Sequence, residues 1–95
     1  MKQEFLDKRL DELCDLLLKL DTREDCKALL EDLCTYKEVE QMALRAYAAK
    51  LFTEGKTYTE IISLTELSSA TLSRVSRSLS HGSGGYRKLI GGDGE

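Results

Sequence analysis

The stretch LSSATLSRVSRSL, Leu67 to Leu79, carries two arginines, a run of hydroxyl side chains and no acid, in a chain whose net charge is -3. Those residue types suit the binding of a polyanion. Arginine presents a rigid fork of N–H donors that matches phosphate and base edges, and serine and threonine both donate and accept. Wound at 3.6 residues per turn, the stretch brings Leu72, Val75 and Leu79 to one side and sets Ala70, Arg74 and Arg77 roughly opposite, with Ser73 beside them. Ser68 or Ser69 can cap the helix, leaving its first N–H groups directed outward to where phosphates would lie. Small side chains near its start let a helix sink into a major groove, where Ser, Thr and Arg reach bases or phosphates. Ordinary solvated helix faces hold the same residues, so the neighbouring elements must decide.

Those elements read as helices throughout. Leu6, Leu10, Leu13, Leu17 and Leu20 recur at alternating spacings of four and three, which predicts an amphipathic helix over 2–20 whose stripe is core. Asp21-Thr22-Arg23-Glu24-Asp25 is a cap followed by first-turn acids, and opens a second helix over 22–33 with Cys26, Leu29, Leu30 and Leu33 on its face. A third helix is expected from Lys37 to Glu54, stopped by Gly55; its alanines permit close approach of a partner helix. Two short helices follow, Tyr58–Leu64 and Ser69–Ser80, the organisation of a helix-turn-helix. His81 to Gly85 reads as a flexible joint, YRKLI as a short segment and GGDGE as a frayed tail.

Charge is unevenly divided between these parts. Residues 1–55 hold nine Lys/Arg against thirteen Asp/Glu, whereas residues 67–92 hold Arg74, Arg77, Arg87 and Lys88 and no acid. One end of the molecule is therefore suited to a polyanion although the whole is acidic.

Several function classes are disfavoured. Ninety-five residues make one small helical domain that gains from a partner's surface. Cys14, Cys26 and Cys34 are odd in number and lack metal spacing, which predicts buried or half-buried thiols in a reducing cytoplasm and no metal site. No apolar run is long enough for a signal peptide or a membrane span. The sole histidine, His81, reads as a solvated loop residue, and no nucleophile is spaced for activation by a base, so an enzyme is not expected.

With these residues in view, YTEIISLTELSSATLSRVSRSLSHGSGGYRKLI resembles the helix-turn-helix region of the Trp repressor superfamily. It is most similar to the bacterial Trp repressor-like YerC/YecD proteins, with their T-Y-x-E-I…S-x-A-T-[IL]-S-R-V-x-R-S-L-x-x-G-x-x-G-Y pattern. The match is specific over about residues 56–90. The resemblance implies an all-α, intertwined homodimer: residues 1–55 would form the dimerisation helices, 56–80 the helix-turn-helix, and 81–95 a C-terminal loop, short segment and tail. It also implies a sequence-specific regulator of transcription that inserts its second helix into the major groove of double-stranded DNA. Ser69, Ala70, Ser73 and Arg77 would face the groove, Tyr58 and Thr59 would lie near phosphates, and Arg74 would contact phosphate or a ligand.

The same resemblance places a corepressor pocket at Thr35, Arg45, Arg74 and Ser78, all of the expected type. Val75, however, stands where that pocket uses glycine to admit an indole ring, so no tryptophan cofactor is expected. Ile62 replaces a usual alanine, and Glu66 a usual left-handed glycine, a change that costs on the order of 1 kcal/mol and predicts a wider turn. The alternative function is a helical protein–protein interaction module that binds no DNA, which the acidic N-terminal helices and the unusual turn would favour.

Overall fold

The computed structural model describes residues 2–91 and is all-helical, with six helices and no strand among the described residues. Its contacts divide the chain into two compact units, Met1–Thr35 and Tyr36–Glu95.

The first unit holds α1 (Gln3–Leu17) and α2 (Arg23–Leu33). Along α1, Arg9 grips Glu12 through two bonds of 2.8 and 3.0 Å and lies 4.6 Å from the centre of the Phe5 ring. The helix stops at Leu17, three residues short of the expected end. Lys19 and Leu20 donate to Leu16 and Leu17, so the last turn tightens to i,i+3 bonding. Thr22 caps α2, its hydroxyl accepting from the Asp25 N–H at 3.0 Å. The expectation that the leucine stripes form core is not met within the chain: neither helix has a buried residue, and Leu6, Leu10 and Leu17 are exposed. Cys14, expected to be at least half-buried, is likewise exposed, whereas Cys26 and Cys34 are half-buried. Two short helices cannot enclose an apolar stripe by themselves.

The second unit holds α3 (Tyr36–Thr53), α4 (Tyr58–Thr65), α5 (Ser69–His81) and α6 (Gly85–Ile90). Its core joins Ala48, Ala49 and Leu51 of α3 to Ile61, Leu67, Leu72 and Val75, with Phe52, Leu79, Tyr86 and Ile90 packed around them. The C-terminal alanines of α3 are thus used inside the chain, where their size lets α4 and α5 approach, while Ala43 and Ala46 stay exposed. Gly55 ends α3 at φ 86° in a Schellman motif, with Lys56 N–H donating to the Leu51 carbonyl and Gly55 N–H to that of Phe52.

A capping box starts α4. Thr57 Oγ1 accepts from Glu60 N–H at 3.2 Å and the Glu60 carboxylate accepts from Thr57 N–H at 2.8 Å. That backbone donor, then the Thr57 hydroxyl, with a smaller pull from Lys56, holds the Glu60 carboxyl below its ordinary value of 4.5. A lowered native pKa stabilises the fold at pH above the ordinary value, and the gain disappears as pH falls through the lowered one. Thermal melts at pH 7 and pH 3 should therefore show a smaller acid-side loss for Glu60→Gln, whose amide oxygen still accepts from Thr57, than for the wild type.

The turn between α4 and α5 is only Glu66-Leu67-Ser68, tighter than the wide turn expected. Glu66 adopts the left-handed conformation itself, at φ 60° and ψ 20°, despite its side chain. Buried Thr65 secures the corner: its hydroxyl donates to the Ile61 carbonyl at 2.8 Å and accepts from Leu67 N–H at 3.2 Å, and Leu67 is buried as the anchor. Ile62 does not separate the helices, because it lies at the surface. Glu66→Gly should then raise stability by about 1 kcal/mol and the melting temperature by about 4–8 °C at fixed protein concentration. An unchanged midpoint would show that no strain resides in this turn.

The joint after α5 is a built turn, not a flexible one. Gly82 packs so closely that a Cβ there would collide with the Ser78 carbonyl, and Gly84 turns the chain at φ 94°. The following segment is helical, and Arg87 Nη2 ties it back by donating to the Leu79 and Ser80 carbonyls at 2.8 and 3.2 Å. The expected tail, from Gly92 onward, lies outside the described residues.

Candidate nucleic-acid interface

The five buried positions of the two short helices and their turn, Ile61, Thr65, Leu67, Leu72 and Val75, fix which side of α5 faces out. Leu72 and Val75 are held inward, so Ser69, Ala70, Ser73, Arg74 and Arg77 are all exposed on the other side. Ser68 is the cap, accepting from Thr71 N–H at 3.1 Å and donating to its hydroxyl at 3.0 Å, and Ser69 is the first helical residue. No acid occurs in the first turn or anywhere else on α5. Arg74 and Arg77 make no hydrogen bond or ion pair among the described residues, which leaves both guanidinium forks open to an anion.

Tyr58 and Thr59, at the start of α4, are exposed too. The Tyr58 ring meets Phe52 edge-on, with centroids 5.2 Å apart and planes at 66°, so the aromatic body is steadied while the hydroxyl has no partner among the described residues. Every expected DNA-contacting residue therefore lies at the surface, and those of α5 share one face.

A second feature adjoins this face. A cleft of about 280 Å³ between α3, α5 and α6 is lined by Met42, Arg45, Ala46, Arg74, Val75, Ser78 and Tyr86. Three residues of the expected pocket, Arg45, Arg74 and Ser78, meet there; Thr35 closes the other unit and is not in the lining. Met42 and Tyr86 were missed by sequence reading. Met42 sits one turn before Arg45 on the same helix face, a signal that was available. Val75 is 2 % exposed and belongs to the core as well as to the cleft wall, so its branched side chain is held rigidly by its neighbours.

His81, read as a loop residue, is instead the last residue of α5, exposed, and borders a separate cleft of about 490 Å³ with Phe52, Leu79 and Arg87. No group of three His, Cys, Asp or Glu among the described residues could hold a metal ion, and no helix among them is long and apolar enough to cross a membrane.

A tight three-residue turn, a five-residue buried signature and an acid-free outer helix face together define a helix-turn-helix. A sequence profile of the Trp repressor protein matches residues 8–92. The chain belongs to the Trp repressor family. Within it, the uncharacterized protein YerC of Bacillus subtilis (strain 168) is 40% identical over 83 residues, spanning 87% of this chain and 80% of YerC. The crystal structure of a candidate Trp repressor from Staphylococcus aureus superposes with a TM-score of 0.84 at 36% identity, covering 100% of this chain and 99% of that one. A TrpR-like protein from Eubacterium eligens ATCC 27750 also gives a TM-score of 0.84, at 33% identity over 88% of this chain and 87% of that one. Membership of the Trp repressor family makes the chain a helix-turn-helix regulator by kinship, and not an enzyme.

Proposed function

We propose that this protein is a sequence-specific transcriptional repressor that acts in the cytoplasm as a homodimer on double-stranded DNA, with α5 in the major groove. The observation that carries the reading is the outer face of α5, where two unpaired arginines and small residues stand together without an acid. Ser69, Ala70, Ser73 and Arg77 would meet the groove, while Tyr58, Thr59 and Arg74 would fix the protein on phosphates. A dimer supports two such helices, spaced to read half-sites about one DNA turn apart. The exposed leucines of α1 support the dimer, since a row of that kind on a soluble helix calls for a partner surface.

Arg45, Arg74 and Ser78 would form a small-molecule site beside the DNA face, with Arg74 shared between the two. Tryptophan is not the proposed ligand, because Val75 fills the wall against which the ring would lie.

The test is selection from random duplex DNA at two salt concentrations, followed by binding measurements on the selected sequence. A two-fold symmetric motif is expected, with affinity falling steeply as salt rises because bound phosphates release counterions. Arg74→Ala combined with Arg77→Ala should weaken binding strongly while leaving the melting temperature in place, as neither side chain supports the fold. Failure to select any sequence at low salt would sink the proposal and leave the helical interaction module as the better reading.

A further inference from the structure

The two arginines of α5 are not equivalent. Relative to the buried stripe of Leu72, Val75 and Leu79, Arg77 and Ala70 are turned nearly opposite, by about 170°, whereas Arg74 is turned by about 130° toward the cleft it shares with Arg45. Ala70 and Arg77 lie seven residues apart, so they form the outermost ridge of the helix, with Ser73 to one side and Arg74 to the other. In a groove-bound helix the outermost ridge faces the base edges and the flanks face the phosphate walls.

We infer that Arg77 is the specificity-determining residue, reading one guanine per half-site through paired N–H donors to O6 and N7. This rests on the DNA-binding reading above. Of the side chains on the face, Ser69 and Ser73 are short hydroxyls that pair with several bases, and Ala70 offers only a methyl. Arg77 alone combines a central position with the two-donor geometry that distinguishes guanine from the other three bases. Its fork is unpaired and exposed in the chain, so it loses no internal bond on turning to a base. Ala70 and Ser73, both small, allow the close approach that brings the arginine within reach. Arg74, on the flank, is left to the phosphate wall or the cleft.

The experiment repeats the selection with Arg77→Gln beside the wild type, because glutamine pairs with N6 and N7 of adenine as arginine does with guanine. The expected result is a wild-type motif with one strongly required guanine in each half-site, replaced by adenine for Arg77→Gln. Changing that guanine should cost wild-type binding about 5- to 150-fold. Two results would overturn the inference while leaving DNA binding intact. One is a wild-type motif without a required guanine. The other is uniform weakening of Arg77→Gln on every sequence, with the salt slope reduced by about one, which marks a phosphate contact. If the wild type selects no DNA at all, the regulator reading itself fails, and this assignment with it. Thermal melts of Arg77→Gln should match the wild type, so a lost preference cannot be laid to misfolding.

Discussion

Leu72→Ala is expected to destabilise the protein by about 2–5 kcal/mol, a large share of the roughly 5–15 kcal/mol that holds a small domain folded. Leu72 has no solvent exposure and lies at the centre of the cluster that joins α5 to Ile61 of α4 and Ala48 and Ala49 of α3. Truncation removes several buried carbons and leaves a void that the two alanines are too small to fill. Urea denaturation should show a lower midpoint with an unchanged slope. Because the same cluster sets the angle of α5, selected DNA should also be bound more weakly. Ser73→Ala, one residue along and on the outer face, should change stability by less than about 0.5 kcal/mol. A loss below 1 kcal/mol for Leu72→Ala would mean that the core collapses around the gap and does not hold the helix rigidly.

The second large effect concerns assembly. Leu10 is 54% exposed and Leu17 39% exposed on α1, and the proposed homodimer would cover both. Leu10→Asp together with Leu17→Asp places four carboxylates in a two-fold symmetric dimer where four leucines would be buried. With about half of each side chain left to bury, the loss amounts to about 3–6 kcal/mol per dimer, or roughly 100- to 10,000-fold in the dissociation constant. Sedimentation of the wild type should give the dimer mass, and the double variant should shift toward the monomer at the same concentration. If the leucines simply face water, the variant would sediment as the wild type does. A wild type that is folded and monomeric would end the dimer proposal.

These leucines also show where sequence reading stops. Spacing alone marks Leu6, Leu10, Leu13, Leu17 and Leu20 as one apolar stripe, and α1 carries the first four of them; periodicity reports that a face is apolar but not what covers it. Core packing within the chain is the expected answer, yet the stripe of α1 is largely exposed and α2 has no fully buried residue, its Cys26, Leu29 and Leu30 being half-buried. Cys14 follows the same logic, since a thiol on an uncovered helix is exposed whatever its usual preference. The glycines that follow His81 place it in a loop by local signals. Yet helix α5 runs one residue further, and Arg87, eight residues beyond Leu79 in sequence, caps its last carbonyls. A partner that distant cannot be found from local signals.

The sequence by itself left the α5 cap between Ser68 and Ser69, of which the structure selects Ser68. It determined the first five helices, the Gly55 stop, and the face of α5 on which Ala70, Ser73, Arg74 and Arg77 meet. All of these depend on spacings within a few residues along one helix, where geometry is nearly invariant. Tertiary structure alone decided that Glu66 can take a left-handed turn, that Ile62 is harmless at the surface, and that Val75 is core and cleft wall at once. The reason is that each outcome depends on what a neighbouring helix places beside the residue. Thr65 and Leu67 over-determine the turn through bonds and burial, so the unfavourable backbone of one residue is outweighed by the packing of the rest.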